Sequence, residues 1–126
     1  MAKREVLHVK GSNHQNPIPT AVEIGNMVYT SAIIGSDPET GEIPESVFEE
    51  VANLFHYLRE IVELAGGTTD DIAHLSVSVT DREYKKVVNV EWLEMFLNEN
   101  DRPARHTSVK NLREGLRVQI EMIAVL

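Results

Sequence analysis

Between Ser46 and Gly66 the chain is apolar on one side only: Phe48, Val51, Phe55, Leu58, Val62 and Ala65 recur at three- and four-residue spacings. Such a stretch is an amphipathic helix, and its single stripe has to be covered by a flat apolar surface. Both ends are punctuated. Ser46 followed by Glu49 is a capping-box pattern, and Gly66-Gly67 stands where a helix exit needs glycine. A second helix follows, with Thr80 or Asp81 as its cap and Tyr84, Val87, Val88, Trp92, Met95 and Phe96 as its inner stripe. Two one-sided helices suit one face of a single sheet, and this constrains the fold more than any other feature.

The remaining segments supply that sheet. Val6-Leu7-His8-Val9 reads as a short first strand, then Gly11–Asn16 as a polar loop whose exit is stiffened by Pro17-Ile18-Pro19. Ala21-Val22-Glu23-Ile24 and Met27–Ile34 are apolar, β-branched runs joined by the hairpin signal Gly25-Asn26. Asp37-Pro38-Glu39-Thr40-Gly41 is turn chemistry. Leu75, Val77 and Val79 alternate with His74, Ser76, Ser78 and Thr80, and Leu116, Val118, Ile120, Met122 and Ala124 alternate along the final strand. With Arg105–Val109 as a further strand, the order is β-β-β-α-β-α-β-β. The expected class is α+β: one mixed six-stranded sheet with both helices on one face, residues 1–126 forming a single domain. The other sheet face, carrying His74, Ser76 and Ser78, is left to solvent or to a partner.

Charge and composition narrow the function. The 126 residues carry a net charge of −8, which opposes phosphate-backbone binding and docking on anionic membranes. The cluster Arg102, Arg105, Lys110, Arg113 and Arg117 is the one local basic patch that the sequence offers a nucleic acid. Cysteine is absent, so there is no disulfide, thiol nucleophile or thiolate metal site. The five histidines show no metal-ligand spacing such as His-Glu-x-x-His. Met1-Ala2-Lys3-Arg4-Glu5 leads into no apolar signal core and no run approaches membrane-spanning length, so a cytoplasmic location is the default expectation.

Pro103-Ala104-Arg105-His106-Thr107 is the stretch with the most chemical content. Alternation puts Arg105, Thr107 and Val109 on one strand face and His106 and Ser108 on the other. A guanidinium on a rigid strand offers a planar fork of donors matched to a carboxylate.

Pro103-Ala104-Arg105, Val118–Val125, Gly25–Ser31, Asp37–Glu42 and Val88-Asn89-Val90-Glu91-Trp92 come in the order of, and together resemble, the RidA (YjgF) family of enamine/imine deaminases, over about Pro17 to Leu126. The resemblance implies a chorismate-mutase-like fold, a homotrimer with ligand clefts between subunits, and hydrolysis of reactive 2-amino-acid-derived enamines and imines to 2-keto acids and ammonia. It implies no metal or organic cofactor. It gives Arg105 the catalytic role of clamping the substrate carboxylate and puts Ser31, Asn89, Thr107, Gln119 and Ile18 around the substrate.

The chain departs from the family pattern at telling places. Ser31-Ala32-Ile33 stands where the family often has Ser-Gly-Gln, and Ile18 stands where it often has tyrosine. Gln119 stands at a glutamate commonly credited with handling water, and an amide cannot act as a carboxylate base. The spacing from Arg105 to the last strand is one residue shorter, in the loop Lys110–Gly115. These departures keep the anchor and point toward a specialised relative, such as a 2-aminomuconate-type deaminase, with His14, Gln15, Asn16 and His106 available for a second polar group. The alternatives are a non-catalytic trimer that binds small carboxylates and, less favoured by the charge, an RNA- or translation-related role.

Overall fold

Seven strands and two α-helices, with one turn of 3-10 helix (Thr69–Asp71), form within residues 3–12 and 16–126, the part that the computed structural model describes. In chain order they are β1 (Glu5–Leu7), β2 (Ala21–Ile24), β3 (Met27–Thr30), β4 (Ile33–Ile34), α1 (Val47–Leu64), β5 (Ile72–Val79), α2 (Tyr84–Met95), β6 (Ala104–Val109) and β7 (Val118–Val125). One sheet holds all the strands in the order β1-β2-β3-β7-β5-β6, and β4 pairs with β7. Its width is the six strands expected from the sequence, the third of them broken into β3 and β4.

The break has a countable cause. Met27, Val28 and Tyr29 lie opposite Val125, Ala124 and Ile123, but Ile33 and Ile34 lie opposite Ile120 and Gln119. Three residues, Thr30 to Ala32, therefore face two, Glu121 and Met122, which is a β-bulge. Side chains patch the interrupted ladder: Thr30 Oγ1 accepts from the Met122 amide at 2.9 Å, and Ser31 Oγ donates to the Pro19 carbonyl at 2.8 Å.

The topology explains why both helices share a face. β4 and β5 both run antiparallel to β7, hence parallel to each other, and α1 is the crossover between them. β5 and β6 pair in parallel with α2 as the crossover. Two successive crossovers of the same hand, moving the same way along the sheet, leave their helices on the same side. There α1 buries Val51, Leu54, Phe55, Leu58, Ile61 and Val62, and α2 buries Val87, Val88 and Trp92. They cover Leu75, Val77 and Val79 of β5 and Val118, Ile120, Met122 and Ala124 of β7.

Some details differ from expectation. Phe48 is 58 % exposed, because the buried face of α1 is centred on Leu54, Leu58 and Ile61 and leaves Phe48 at its margin. β1 ends at Leu7, and His8 and Val9 follow outside the strand. Ser46 caps α1 through the Glu49 amide, as read. α2 starts after Glu83 with no side-chain cap; Asp81 instead accepts from the Glu83 amide upstream of the helix.

A buried ion pair lies under α1. Glu50 is fully buried, and its Oε1 accepts from Arg117 Nε at 2.7 Å while Oε2 accepts from the Arg117 amide at 3.0 Å. Arg117 also donates to the Glu45 and Pro44 carbonyls. One arginine thus ties the entry of β7 to α1 and to the segment before it. The carboxylate is stabilised in a dry place by several donors rather than one. Among the described residues no helix is long and apolar enough to cross a membrane.

Candidate active site

β6 is one of the sheet's two edge strands, in parallel register with β5: Leu75 opposite Arg105, Ser76 opposite His106, Val77 opposite Thr107. Paired residues point the same way, and Leu75 and Val77 are buried beneath the helices. Arg105 and Thr107 therefore rise on the helix side, against the flank of α2, and His106 points to the open face.

Arg105 is held on three sides. Its Nε donates to Thr107 Oγ1 at 2.9 Å, its Nη1 donates to Asn89 Oδ1 at 2.8 Å, and its guanidinium carbon lies 5.1 Å from the Trp92 ring centre. The first two contacts use two of the five guanidinium donors, and the ring supports the cation from its face. Among the described residues no carboxylate pairs with it. Partial burial lowers its pKa from the usual arginine value, the direction expected for a cation drawn out of water. A pinned, half-buried guanidinium without a counter-ion can receive an anion, and its planar fork is matched to a carboxylate.

Gln119 stands elsewhere. Its neighbours across the ladders are Ser78 and Ile34, and Val118 and Ile120 on either side of it are buried under the helices. Its side chain therefore lies on the open face, in a cleft of about 650 Å³ whose walls include Ser12, Asn16, Ala32, Ile34 and Arg113. The loops of this cleft are tied to α1. Tyr57 Oη donates to the Ser36 carbonyl at 2.7 Å, and Ser36 Oγ donates to the Gly11 carbonyl at 3.0 Å. Gly11 has φ +87°, and a Cβ there would come within 2.6 Å of both Pro38 Cα and Tyr57 Oη, so only glycine fits.

Of the six residues singled out in the sequence, the structure brings three together and sets the other three apart. Arg105, Asn89 and Thr107 meet directly on the helix side. Gln119 lines the cleft on the other face, none of those three lines it, Ile18 is exposed on the loop before β2, and Ser31 is engaged in the bulge. Asn16 lines the cleft, while His14 and Gln15 lie outside the described residues. Trp92, read only as a core residue, also serves as the platform for Arg105; its position three residues after Asn89, one helical turn on, was the available signal. The basic patch does not form as a free surface: Arg117 is committed to Glu50, Arg102 donates to the Phe96 carbonyl, and Arg105 is pinned as described. Among the described residues no three His, Cys, Asp or Glu side chains cluster as a metal site requires.

Comparison with known proteins adds to this geometry. The family model described as Endoribonuclease L-PSP matches residues 13–126. A RutC family protein of Aquifex aeolicus is 32% identical over 123 residues, 97% of this chain and 98% of that protein. The 2-iminobutanoate/2-iminopropanoate deaminase of Escherichia coli K12 is 34% identical over 111 residues, 86% of this chain and 87% of that one. Among solved structures, the YjgF gene product of E. coli superposes with a TM-score of 0.86 at 30% identity, covering 96% of this chain and 98% of that chain. E. coli TdcF with bound serine superposes with a TM-score of 0.88 at 27% identity, covering 97% and 98%.

Proposed function

Because this chain belongs to the RidA (YjgF) family, we propose that it is an imine deaminase that hydrolyses 2-imino acids, and their enamine tautomers, to 2-keto acids and ammonia. The observation that carries this reading is Arg105: pinned by Asn89, Thr107 and Trp92, partly dried, and paired with no carboxylate among the described residues. That is the anchor a 2-imino acid needs at its carboxylate, and the bound serine of TdcF is a ligand with the same group.

The chemistry asks little of the protein beyond position. Water adds to the C=N carbon, the nitrogen takes up a proton, and the carbinolamine collapses to the keto acid with loss of ammonia. Arg105 immobilises the carboxylate and places the adjacent carbon, which converts a solution encounter into an oriented one. Gln119 can accept a hydrogen bond from the water and orient it, but its amide takes no proton at neutral pH. The imine nitrogen is then the base in its own hydrolysis.

Arg105 and Gln119 stand on opposite faces of one sheet, so a second copy of the chain is needed to bring the two groups together. A homotrimer with sites between subunits is the assembly this reading adopts, and the open sheet face supplies a surface for it. The finer reading, a specialised 2-aminomuconate-type substrate rather than the simplest imine, is supported by Gln119 in place of the usual glutamate.

The test is ammonia release from freshly generated 2-iminobutyrate. The wild type accelerates it over buffer. Arg105→Ala loses about a hundredfold or more in kcat/KM, as removal of a charge-assisted bidentate contact does, and Arg105→Lys recovers only part. Acceleration that survives intact in Arg105→Ala removes the assignment, and a wild type that binds 2-keto acids without accelerating release is a binder, not an enzyme.

A further inference from the structure

The open-face cleft carries a charge that anchoring one carboxylate at Arg105 does not use. Two bases, Lys10 and Arg113, and one acid, Glu39, line it. Lys10 and Glu39 neutralise each other at 3.3 Å, both 75 % exposed. Arg113 is exposed and makes no ion pair among the described residues, and Glu114 next to it is not part of the lining. One unmatched guanidinium thus faces the cleft of a chain with 20 acidic and 12 basic residues. The polar group set into the sheet beneath it, Gln119, is neutral, so it does not repel an anion as a carboxylate there would.

The shape agrees with the charge. A space of about 650 Å³ on the single chain, with apolar wall at Ile34, Pro38 and Leu116, leaves room beside Gln119 for a ligand's carbon chain as well as its charged end. We propose that the cleft receives the far end of a longer substrate bearing a second carboxylate, and that Arg113 is the residue that selects it. The substrate class is a 2-imino dicarboxylate. Its first carboxylate lies on Arg105 of one subunit and its second on Arg113 of the cleft opposite, so the inference rests on the composite site proposed above. A single unmatched guanidinium balances one carboxylate charge, which favours that group over a doubly charged phosphate.

Isothermal titration calorimetry on the intact assembly tests this without turnover, with stable keto acids as probes: 2-oxobutyrate with one carboxylate and 2-oxoglutarate with two. The wild type binds 2-oxoglutarate about tenfold or more tightly than 2-oxobutyrate, the size of a net charge-assisted hydrogen bond. Arg113→Ala brings the two affinities close to parity, and Arg113→Lys retains part of the preference because it keeps the charge without the fork. Equal affinities in the wild type, no measurable binding of 2-oxoglutarate, or a preference that persists in Arg113→Ala each overturn the subsite. Failure of the wild type to release ammonia from any imine counts against the deaminase reading alone, since the calorimetric preference decides the subsite by itself.

Discussion

Arg105 is held in place by the chain itself, with no ligand needed to fix it. Thr107 and Asn89 fix the plane of its guanidinium and Trp92 limits its motion, so less side-chain freedom is lost on binding than for a solvated arginine. Gln119 is the polar group on the cleft floor, and on the proposed reading its amide orients the attacking water without taking a proton. On the proposed reading, replacing that amide with a carboxylate installs a base where the water attacks, and positioned general bases contribute about 10²–10⁴ in rate. Gln119→Glu therefore raises ammonia release from 2-iminobutyrate by at least about tenfold at pH 7 and makes the rate fall as the solution is acidified through the carboxylate range near pH 4. Rates measured across pH for both proteins check this. A wild type that Gln119→Glu does not improve removes the case that position 119 marks a specialised substrate. The parity of Arg105, Thr107 and Gln119 was legible in the sequence, because alternation is a local property. That Arg105 and Gln119 face opposite ways was not, because it depends on the registers of β6 on β5 and β5 on β7.

At the scale of elements, the amphipathic stripes of α1 and α2 announced the architecture, since a one-sided helix has few ways to bury its stripe. The split of β3 from β4 stayed hidden. Met27–Thr30 and Ile33–Ile34 both suit a strand and no Gly or Pro breaks the run between them, so the extra residue shows only against the partner's count in β7. Glu50 was hidden for a similar reason: within α1 it reads as a surface glutamate, and its partner Arg117 is 67 residues away. Tyr57, likewise unmarked in sequence, joins α1 to the cleft loops through Ser36. Burial raises its phenol pKa above the usual 10.0, so the neutral form favours the folded state. That stabilisation is complete below about pH 10 and is lost as pH rises through the folded pKa. Tyr57→Phe, which leaves the Ser36 carbonyl without its donor, unfolds about 1–3 kcal/mol more easily at pH 8. It then loses less stability than the wild type on going to pH 11. Melting curves across that range decide it, and parallel declines for the two proteins contradict the assignment.

For the whole molecule, the charge balance opposed a broad nucleic-acid surface from the start, and the fold engages three of the five cations in the one cluster that ran the other way, Arg102, Arg105 and Arg117. The central claim is that a site is completed by two chains: Arg105, Asn89 and Thr107 from one, Gln119 and its cleft from another. It is tested most directly by subunit complementation. One variant, Arg105→Ala, lacks the anchor; a second, Ile34→Trp, fills the cleft and keeps Arg105. Light scattering first confirms that each assembles at about three times the chain mass of 14.2 kDa. Each alone releases little ammonia from 2-iminobutyrate. Unfolded together in equal amounts and refolded as mixed assemblies, they recover about a quarter of wild-type activity, the chance that an intact anchor meets an open cleft when chains associate at random around a closed ring. Mixed assemblies no more active than their parents would show that anchor and cleft do not serve one another across the subunit boundary.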